Sequence, residues 1–324
     1  MRGLKPCLFQ APTFTVASHT GNVRVSPIGA LFQKDFMLGL FRFTAFVFTI
    51  VVSVSAHAGF EDCPGFFVNG AAPKVSDASP AKRRELCFDA YAVLHSGQSK
   101  TAVYVVENLS KEQLFYAKGE VRTNRFYEEA RLPGAERSRL EDYRAGPNQN
   151  SSETRFDRGH MAPAGDMPNA QAMAQSFSLS NTVPQARENN RGAWARGIEM
   201  ATRKYVMRAE KNVYVFTGPV YAEPVETLGP NQVWIPKYLY KLIYDPVANK
   251  AWAHWLENAD EARVGEPITY EELVRRTGIE FLSGAKPEGI SRHPRRGLRD
   301  VLTTFLQGGA AKAAISKSKI LLQK

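Results

Sequence analysis

The sequence predicts an α+β fold. Runs of β-prone residues precede helix-forming segments, and the two do not alternate in the regular βαβ order that builds a parallel sheet. The first β-prone runs, at residues 88–94 and 101–106, flank turn-forming residues 96–99 and so predict an antiparallel hairpin. Hydrophobic residues make up 44% and charged residues 23% of the 324 residues, which excludes a wholly disordered or collagen-like chain.

Further elements are predicted in chain order after this hairpin. Residues 122–150 are polar and contain two prolines and two glycines, so we expect mostly loop there. Pro267 is expected at a helix start, and Gly278 is expected to end the same helix. The remaining predicted elements are helices over 170–176, 192–210 and 267–276 and strands over 213–216, 233–244 and 251–256.

The N-terminal residues resemble a targeting segment. Residues 43–54 are uncharged and apolar, with Arg42 before them and the small-residue sequence Ser-Ala-His-Ala after them, as in a secretory signal peptide cleaved after Ala58. The run is too short for a membrane span, which needs about 20 residues. Two alternatives remain open: a buried core helix, or an organelle transit peptide, since residues 1–34 contain no acidic residue.

We therefore predict five regions. Residues 1–36 are an extension upstream of a natural start at Met37, and residues 37–58 are the signal peptide. Residues 59–85 are an N-terminal loop region, residues 86–283 form the main domain, and residues 284–324 form a basic tail. The mature protein is expected to be periplasmic or extracellular, with no stable membrane association after cleavage.

Cysteine usage agrees with export. Cys7 lies in the predicted extension, so Cys63 and Cys87 remain in the mature chain. An even number of cysteines in an exported protein favours one disulfide, and two free buried thiols are the alternative.

The formal net charge of +10 favours a polyanionic partner, either nucleic acid or an anionic membrane surface. The spacing of cysteines and histidines does not predict a zinc site, and the sequence has no glycine-rich phosphate loop.

The most informative segment is Asp-Arg-Gly-His-Met-Ala-Pro at residues 157–163. In a strand, Arg158 and His160 would lie on one face and Asp157 on the other. An imidazole can accept a proton from water near neutral pH, and a guanidinium can bind phosphate through two parallel hydrogen bonds. The segment therefore suits phosphodiester cleavage.

Amide side chains follow at residues 181–185 and 189–194. An asparagine carbonyl oxygen can bind a hard cation such as Mg²⁺, while waters and substrate phosphate complete the coordination shell. Asn190 is the candidate ligand, and a simple helix N-cap is the alternative for this residue.

These segments resemble the ββα-metal family of sugar-nonspecific DNA/RNA endonucleases. The family's Asp-Arg-Gly-His motif corresponds to residues 157–160, its Ser-Asn-x-x-Pro-Gln segment to residues 180–185, and its Asn-x-Gly-x-Trp segment to residues 190–194. The resemblance extends from about Phe88 to Leu282. It implies a ββα-metal fold with a central antiparallel sheet flanked by helices.

The resemblance also implies roles for individual residues. His160 corresponds to the general base, and Asn190 to the metal-ligating asparagine. Arg158 corresponds to the motif arginine beside the scissile phosphate, and Arg125 resembles an upstream arginine that helps to hold the transition state. Asn181 would support the site and the bound substrate. For both arginines, a plain surface charge is the alternative.

One spacing departs from the family pattern. In the family an acidic residue follows the metal asparagine by eight positions, but Glu199 follows Asn190 by nine, with Arg203 four further on. At about 100° per residue, nine steps place Glu199 opposite Asn190 on an ideal helix. We predict that a π-type bulge at Gly197 restores the facing, so that Glu199 contacts metal-bound water and Arg203 contacts substrate. A Glu199–Arg203 surface pair is the alternative.

The predicted function is that of an exported endonuclease that cleaves DNA and RNA and leaves 5′-phosphate ends. It would depend on Mg²⁺, with Mn²⁺ as a substitute. Two alternatives remain: a non-catalytic polyanion-binding protein that lost activity through the insertion at Gly197, or a hydrolase of small phosphodiesters. The oligomeric state is not predicted.

Overall fold

A computed structural model describes residues 59–144 and 156–289. The predicted extension, the predicted signal peptide and the tail beyond residue 289 lie outside these residues. In the described part of the chain, no helix combines the length and the apolar character that crossing a membrane requires.

The strands are short at both ends of the described chain and longest in its middle. They are β1 (Lys74–Val75), β2 (Arg83–Cys87), β3 (Ala92–Ser96), β4 (Thr101–Leu109), β5 (Phe156–His160), β6 (Thr182–Ala186), β7 (Val213–Val220), β8 (Thr227–Leu228), β9 (Val233–Trp234), β10 (Tyr238–Asp245), β11 (Lys250–Glu257), β12 (Ile279–Glu280) and β13 (Glu288–Gly289).

A central sheet organises the molecule and confirms the predicted α+β class. Within residues 59–144 and 156–289 it contains seven strands in the spatial order β13-β11-β10-β7-β4-β3-β2. Every neighbouring pair is antiparallel except β11 and β13 at one edge. The predicted hairpin is β3–β4. The strand predicted over 233–244 is divided into β9 and β10 around Pro236, since proline cannot donate a ladder hydrogen bond.

The helices lie outside this sheet. They are α1 (Lys111–Ala117), α2 (Ala170–Ser176), α3 (Arg187–Asn189), a π-helical segment (Asn190–Glu199) that we call the wide helix, α4 (Met200–Val206) and α5 (Tyr270–Thr277).

The predictions for α2 and for the end of α5 are confirmed. Gly278 ends α5 in the left-handed region at φ 68°, where glycine has no Cβ to clash. The start of α5 was predicted three residues too early, at Pro267 instead of Tyr270. Thr269 is the N-cap, and its side chain accepts a hydrogen bond from the Glu272 amide at 3.2 Å.

Both faces of the central sheet are buried. On one face, Val93, Val105 and Leu239 pack with Trp194 and Ile198 of the wide helix. On the other face, Tyr104, Phe216 and Tyr240 form a cluster with residues from two other parts of the chain. Phe60 and Phe67 come from the N-terminal turns, and Leu273 comes from α5. The sheet is therefore a rigid layer on which the wide helix is fixed.

The N-terminal region carries more structure than the predicted loop. Short 3₁₀ turns cover Phe60–Asp62, Pro64–Phe66 and Val68–Gly70. Strand β2 begins at Arg83 and joins the central sheet. Cys63 and Cys87 form a disulfide rather than two free thiols, and the bond connects the turns to β2.

Candidate active site

A cavity of about 720 Å³ lies between the β5–β6 ribbon and the wide helix. Strand β5 carries the Asp-Arg-Gly-His motif and pairs with β6, with His160 opposite Thr182 and Gly159 opposite Val183. The predicted residues that line this cavity are His160, Arg158, Asn190, Glu199 and Arg203.

His160 is buried at the end of β5. Its ring centroid lies 5.3 Å from that of Phe126 and 5.0 Å from that of Phe177. Burial, with smaller contributions from Arg122 and Arg158, lowers the pKa of His160 to about 3. The Nε2 atom has no hydrogen-bond partner among the described residues. The ring is therefore neutral near pH 7 and presents an unused nitrogen that can accept a proton.

Asp157 connects the motif to Asn190. The Asn190 Nδ2 atom donates a hydrogen bond of 2.9 Å to Asp157, and Arg191 donates two more to the same carboxylate at 2.9 and 3.0 Å. Because the amide nitrogen is held by Asp157, the amide oxygen of Asn190 is left as the ligand atom for a cation. Asp157 was not predicted in this role, since the contact joins residues 33 positions apart.

The wide helix brings Glu199 to the same cavity as Asn190. Its turns contain more residues than those of an α-helix, since its hydrogen bonds run from i to i+5, and nine steps therefore make about two turns. Glu199 is buried, and its carboxylate accepts a hydrogen bond from Arg203 at 3.3 Å. Burial raises the pKa of Glu199, opposed by Lys241 and Arg203.

Arg203 lines the cavity beside Glu199 and is held in place by carboxylates. Besides Glu199 it binds the carboxylate of Asp166, which follows the cavity residue Gly165. Sequence reasoning missed Asp166, because nothing local to Pro163–Met167 predicts a contact with a helix 37 residues further on. Arg203 is thus held by two carboxylates, and its freedom to contact substrate is limited to its remaining donor positions.

The two predicted phosphate-binding arginines differ in position. The Arg158 guanidinium lies 4.2 Å from the ring centroid of Phe126 and lines the cavity. Arg125 is exposed and is not among the cavity residues; Arg122 is there instead, 5.0 Å from the Phe177 ring centroid. Asn124 has a left-handed φ of 53° and turns the chain between the two arginines. The Arg-Thr-Asn-Arg run does not by itself indicate which of its two arginines lines the cavity.

Asn181 lies beneath the site and is not among the cavity residues, contrary to its expected role in binding substrate. Its amide oxygen accepts a hydrogen bond from the Ala162 nitrogen, and its amide nitrogen donates to the carbonyls of Ala162 and Ser176, all at 2.9 Å. A fully buried amide with these bonds has no atom left for substrate. It fixes the chain that follows His160.

The cavity contains side chains that could bind a divalent cation. Among the described residues, no group of three or more His, Cys, Asp or Glu side chains could form a metal cage. The lining residues that carry possible ligand atoms include Asp157, Asn190 and Glu199, which supply oxygen, and His160, which supplies nitrogen. Hard divalent cations prefer oxygen ligands, so these side chains could hold a metal ion of that class.

Comparisons with known proteins show what the chain is similar to. The sequence model of the "DNA/RNA non-specific endonuclease" family matches residues 69–288. The chain is 29% identical to the mitochondrial nuclease of Saccharomyces cerevisiae in an alignment of length 268 that covers 72% of this chain and 74% of that relative. It is 31% identical to human mitochondrial endonuclease G over 208 residues, covering 60% of this chain and 66% of the relative.

Other relatives match over shorter stretches. Human mitochondrial nuclease EXOG is 31% identical in an alignment of length 168 that covers 48% of this chain and 43% of EXOG. The chain thus spans less than half of that relative. Among solved structures, a chain from the EndoG/EndoGI complex matches with a TM-score of 0.52 and 24% identity, covering 63% of this chain and 87% of that chain. This likeness supports the fold.

Proposed function

Because the chain belongs to the DNA/RNA non-specific endonuclease family and is a metal-dependent endonuclease, we propose that it hydrolyses phosphodiester bonds of both DNA and RNA, uses Mg²⁺, and leaves 5′-phosphate ends. The observation that carries this proposal is that a neutral imidazole, whose Nε2 atom has no hydrogen-bond partner among the described residues, lines the same cavity as an oriented asparagine amide.

The chain's own residues divide the work. His160 accepts through Nε2 the proton of the water that attacks phosphorus. Asn190 would hold the metal through its amide oxygen, with Glu199 on the same wall of the cavity. When bound, Mg²⁺ would stabilise negative charge on the phosphate and on the departing 3′-oxygen. Mn²⁺ has similar ligand preferences and could replace it.

The arginines explain the lack of sequence preference. Arg158 and Arg122 line the cavity, and their guanidinium groups can bind phosphate oxygens in a bidentate manner. Contacts with phosphates carry no direct base information, so DNA and RNA of any sequence can bind. Protein binding releases counterions from the phosphates, and this release is less favourable when the salt concentration is high. Binding of nucleic acid should therefore weaken as salt rises.

Plasmid cleavage tests the proposal. We expect the full chain to nick supercoiled DNA and to degrade RNA with Mg²⁺, and EDTA to stop both reactions. His160→Ala should lose at least about a hundredfold in rate, the usual contribution of a general base, while it still binds nucleic acid. His254→Gln, a histidine outside the cavity, is the matched control.

The outcomes separate the competing functions. Undiminished cleavage by His160→Ala would exclude His160 as the base. Plasmid that stays intact with either Mg²⁺ or Mn²⁺ would support the non-catalytic polyanion-binding alternative. Cleavage of a dinucleotide but not of long DNA would support a hydrolase of small phosphodiesters.

For the location we propose export into an oxidising compartment, supported by the disulfide and by the apolar run at residues 43–54. The mitochondrial names of the relatives support the alternative, an organelle-targeting segment. N-terminal sequencing of the mature protein distinguishes them, since only signal-peptide cleavage predicts a chain that begins at Gly59.

A further inference from the structure

Exposed apolar side chains concentrate beside the cavity. Of the eight large hydrophobic residues exposed in the described part of the chain, five lie in or next to α1 and α4. Phe115 and Tyr116 of α1 are 67% and 55% exposed, and Val121 is 82% exposed. We call Phe115, Tyr116, Val121, Met200 and Met207 the apolar patch.

The two helices that carry this patch contribute to the same part of the hydrophobic core. Leu114 of α1 and Val206 of α4 belong to one buried cluster. Met200 and Met207 lie three residues before and four after Arg203, so all three share one face of α4.

Both helices also meet at Asp166. Arg203 binds the Asp166 carboxylate, and Gln113 of α1 donates a hydrogen bond of 3.0 Å to the Asp166 carbonyl. Asp166 directly follows Gly165, which lines the cavity. The patch therefore borders the wall of the active site.

The chain also leads from the patch into the cavity. Helix α1 ends at Ala117, and four residues separate it from Arg122, which lines the cavity. Val121 is the immediate neighbour of Arg122. A polymer whose phosphate is bound at Arg122 can thus continue over the patch.

The charge around the patch is mixed with an excess of cations. Exposed Lys111, Lys118, Lys204 and Arg208 flank the patch along α1, α4 and the residues that follow these helices. The acidic residues of the same stretches are Glu112 in α1, Glu120 after α1, and the exposed Glu210 after α4. Aromatic rings surrounded by cations are the surface that single-stranded nucleic acid uses, since phosphates follow the charges and bases stack on the rings.

We propose that the apolar patch binds a single-stranded stretch of the substrate, with bases stacked on Phe115 and Tyr116 while a phosphate lies at His160. This proposal rests on the proposed nuclease function. In a duplex the base faces are already stacked on each other, so the patch favours single strands and frayed ends over intact duplex.

Kinetics with matched substrates test the proposal. We expect Phe115→Ala/Tyr116→Ala to raise KM for a single-stranded 12-mer by roughly tenfold or more, since stacking typically contributes that much per base. The increase in KM should be smaller when the same sequence is supplied as a duplex. It should also be smaller for a dinucleotide, which is too short to reach from the cavity to the patch. Val247→Ala, an exposed apolar residue in the turn between β10 and β11, is the control.

Fluorescence gives a readout without cleavage. Tyr116→Trp is placed in the His160→Ala background, and a stacked base should quench the introduced indole when single-stranded DNA is added. If the wild-type protein cleaves no DNA but the labelled variant still shows quenching, the nuclease function is overturned and the patch proposal is supported. Failure of the nuclease function can therefore be told apart from failure of the patch proposal.

Two results would overturn the patch proposal. One is an equal effect of the double substitution on single strand and duplex, with no quenching. The other is binding to vesicles of phosphatidylcholine with phosphatidylglycerol that the double substitution abolishes, while the single-strand preference stays unchanged. In that case the patch is a membrane-contacting surface.

Discussion

Asp157 is a single carboxylate that contacts three side chains, one of which is Arg187, whose Nε atom lies 3.6 Å from Oδ1. It accepts hydrogen bonds from the Asn190 amide and from the Arg191 guanidinium, and it is mostly shielded from solvent. A side-chain amide rotates easily between two orientations, so a fixed acceptor on one side decides which atom faces the cavity.

Asp157→Asn should weaken metal binding rather than chemistry. The substituted amide can turn either atom to Asn190, so the orientation of Asn190 is no longer imposed. We expect the Mg²⁺ concentration for half-maximal cleavage to rise about 10- to 100-fold, as is usual when a residue that orients a ligand is lost. Asp77→Asn, an exposed carboxylate, is the control. An unchanged Mg²⁺ requirement would show that Asp157 does not orient Asn190.

Arg122 and Arg125 provide a paired test at the same scale. Arg122 lines the cavity and Arg125 does not. We expect Arg122→Ala to lower kcat/KM on plasmid about tenfold or more, because one charge-assisted phosphate contact is lost, and Arg125→Ala to lower it less. The reverse ranking would return the phosphate role to Arg125.

Local sequence accounts for part of this site. His160, Arg158 and Asn190 could be predicted because their chemistry is contained in short motifs. The position of Arg122, the orienting role of Asp157 and the Asp166–Arg203 contact could not, since each depends on a backbone turn or on a contact between distant segments.

At the scale of elements, the β5–β6 ribbon explains the glycine of the motif. A Cβ built on Gly159 would lie 2.5 Å from the Cβ of Gln185 and 2.1 Å from its Oε1. Gln185 is itself buried, and its amide nitrogen donates to Asn189 at 3.0 Å. The close approach of the strands therefore excludes any larger residue at position 159.

Gly159→Ala should destabilise the ribbon and the site together. Overpacking of a rigid neighbour costs about 1–3 kcal/mol in the free energy of unfolding, and the displaced strand end carries His160. Gly134→Ala, where a Cβ meets nothing within 4 Å, is the matched control. Equal denaturation midpoints for the two variants would contradict the steric explanation.

The wide helix shows what spacing alone can predict. A spacing of nine positions places Asn190 and Glu199 on opposite faces of a regular α-helix, and a π-type segment was predicted to bring the two side chains to the same face. The structure contains it, but over all of Asn190–Glu199 rather than as a bulge confined to Gly197. Its extent depends on packing: Trp194 and Ile198 are buried against the sheet, and the motif does not encode that constraint.

At the scale of the whole molecule, buried titratable groups couple folding to pH. Burial is the main cause that lowers the pKa of His95 to about 4 and that of His160 to about 3. In the unfolded chain a histidine titrates near 6.5, so below that pH the unfolded state binds protons that the folded state does not. Glu107 and Glu199 act in the opposite direction, because burial raises their pKa and the folded state binds their protons first.

We expect the free energy of unfolding to lose about 1.4 kcal/mol per pH unit for each such histidine between pH 6 and pH 5. His95→Gln should reduce proton uptake on unfolding by about one in this window, whereas Val247→Ala should keep the wild-type dependence. Urea denaturation at several pH values measures both. An unchanged slope in His95→Gln would mean that His95 is protonated in the folded protein.

The Cys63–Cys87 disulfide makes the stability of the enzyme depend on the redox state of its compartment. Closing a loop of this size adds about 3 kcal/mol to the free energy of unfolding in the chain-entropy model. In a reducing cytosol the disulfide does not form, so the protein lacks this stabilisation. We therefore expect newly made molecules that stay in the cytosol to be cleared by proteases sooner than delivered ones. The nuclease would then be long-lived only in an oxidising compartment, where it is separated from the DNA of the cell that made it.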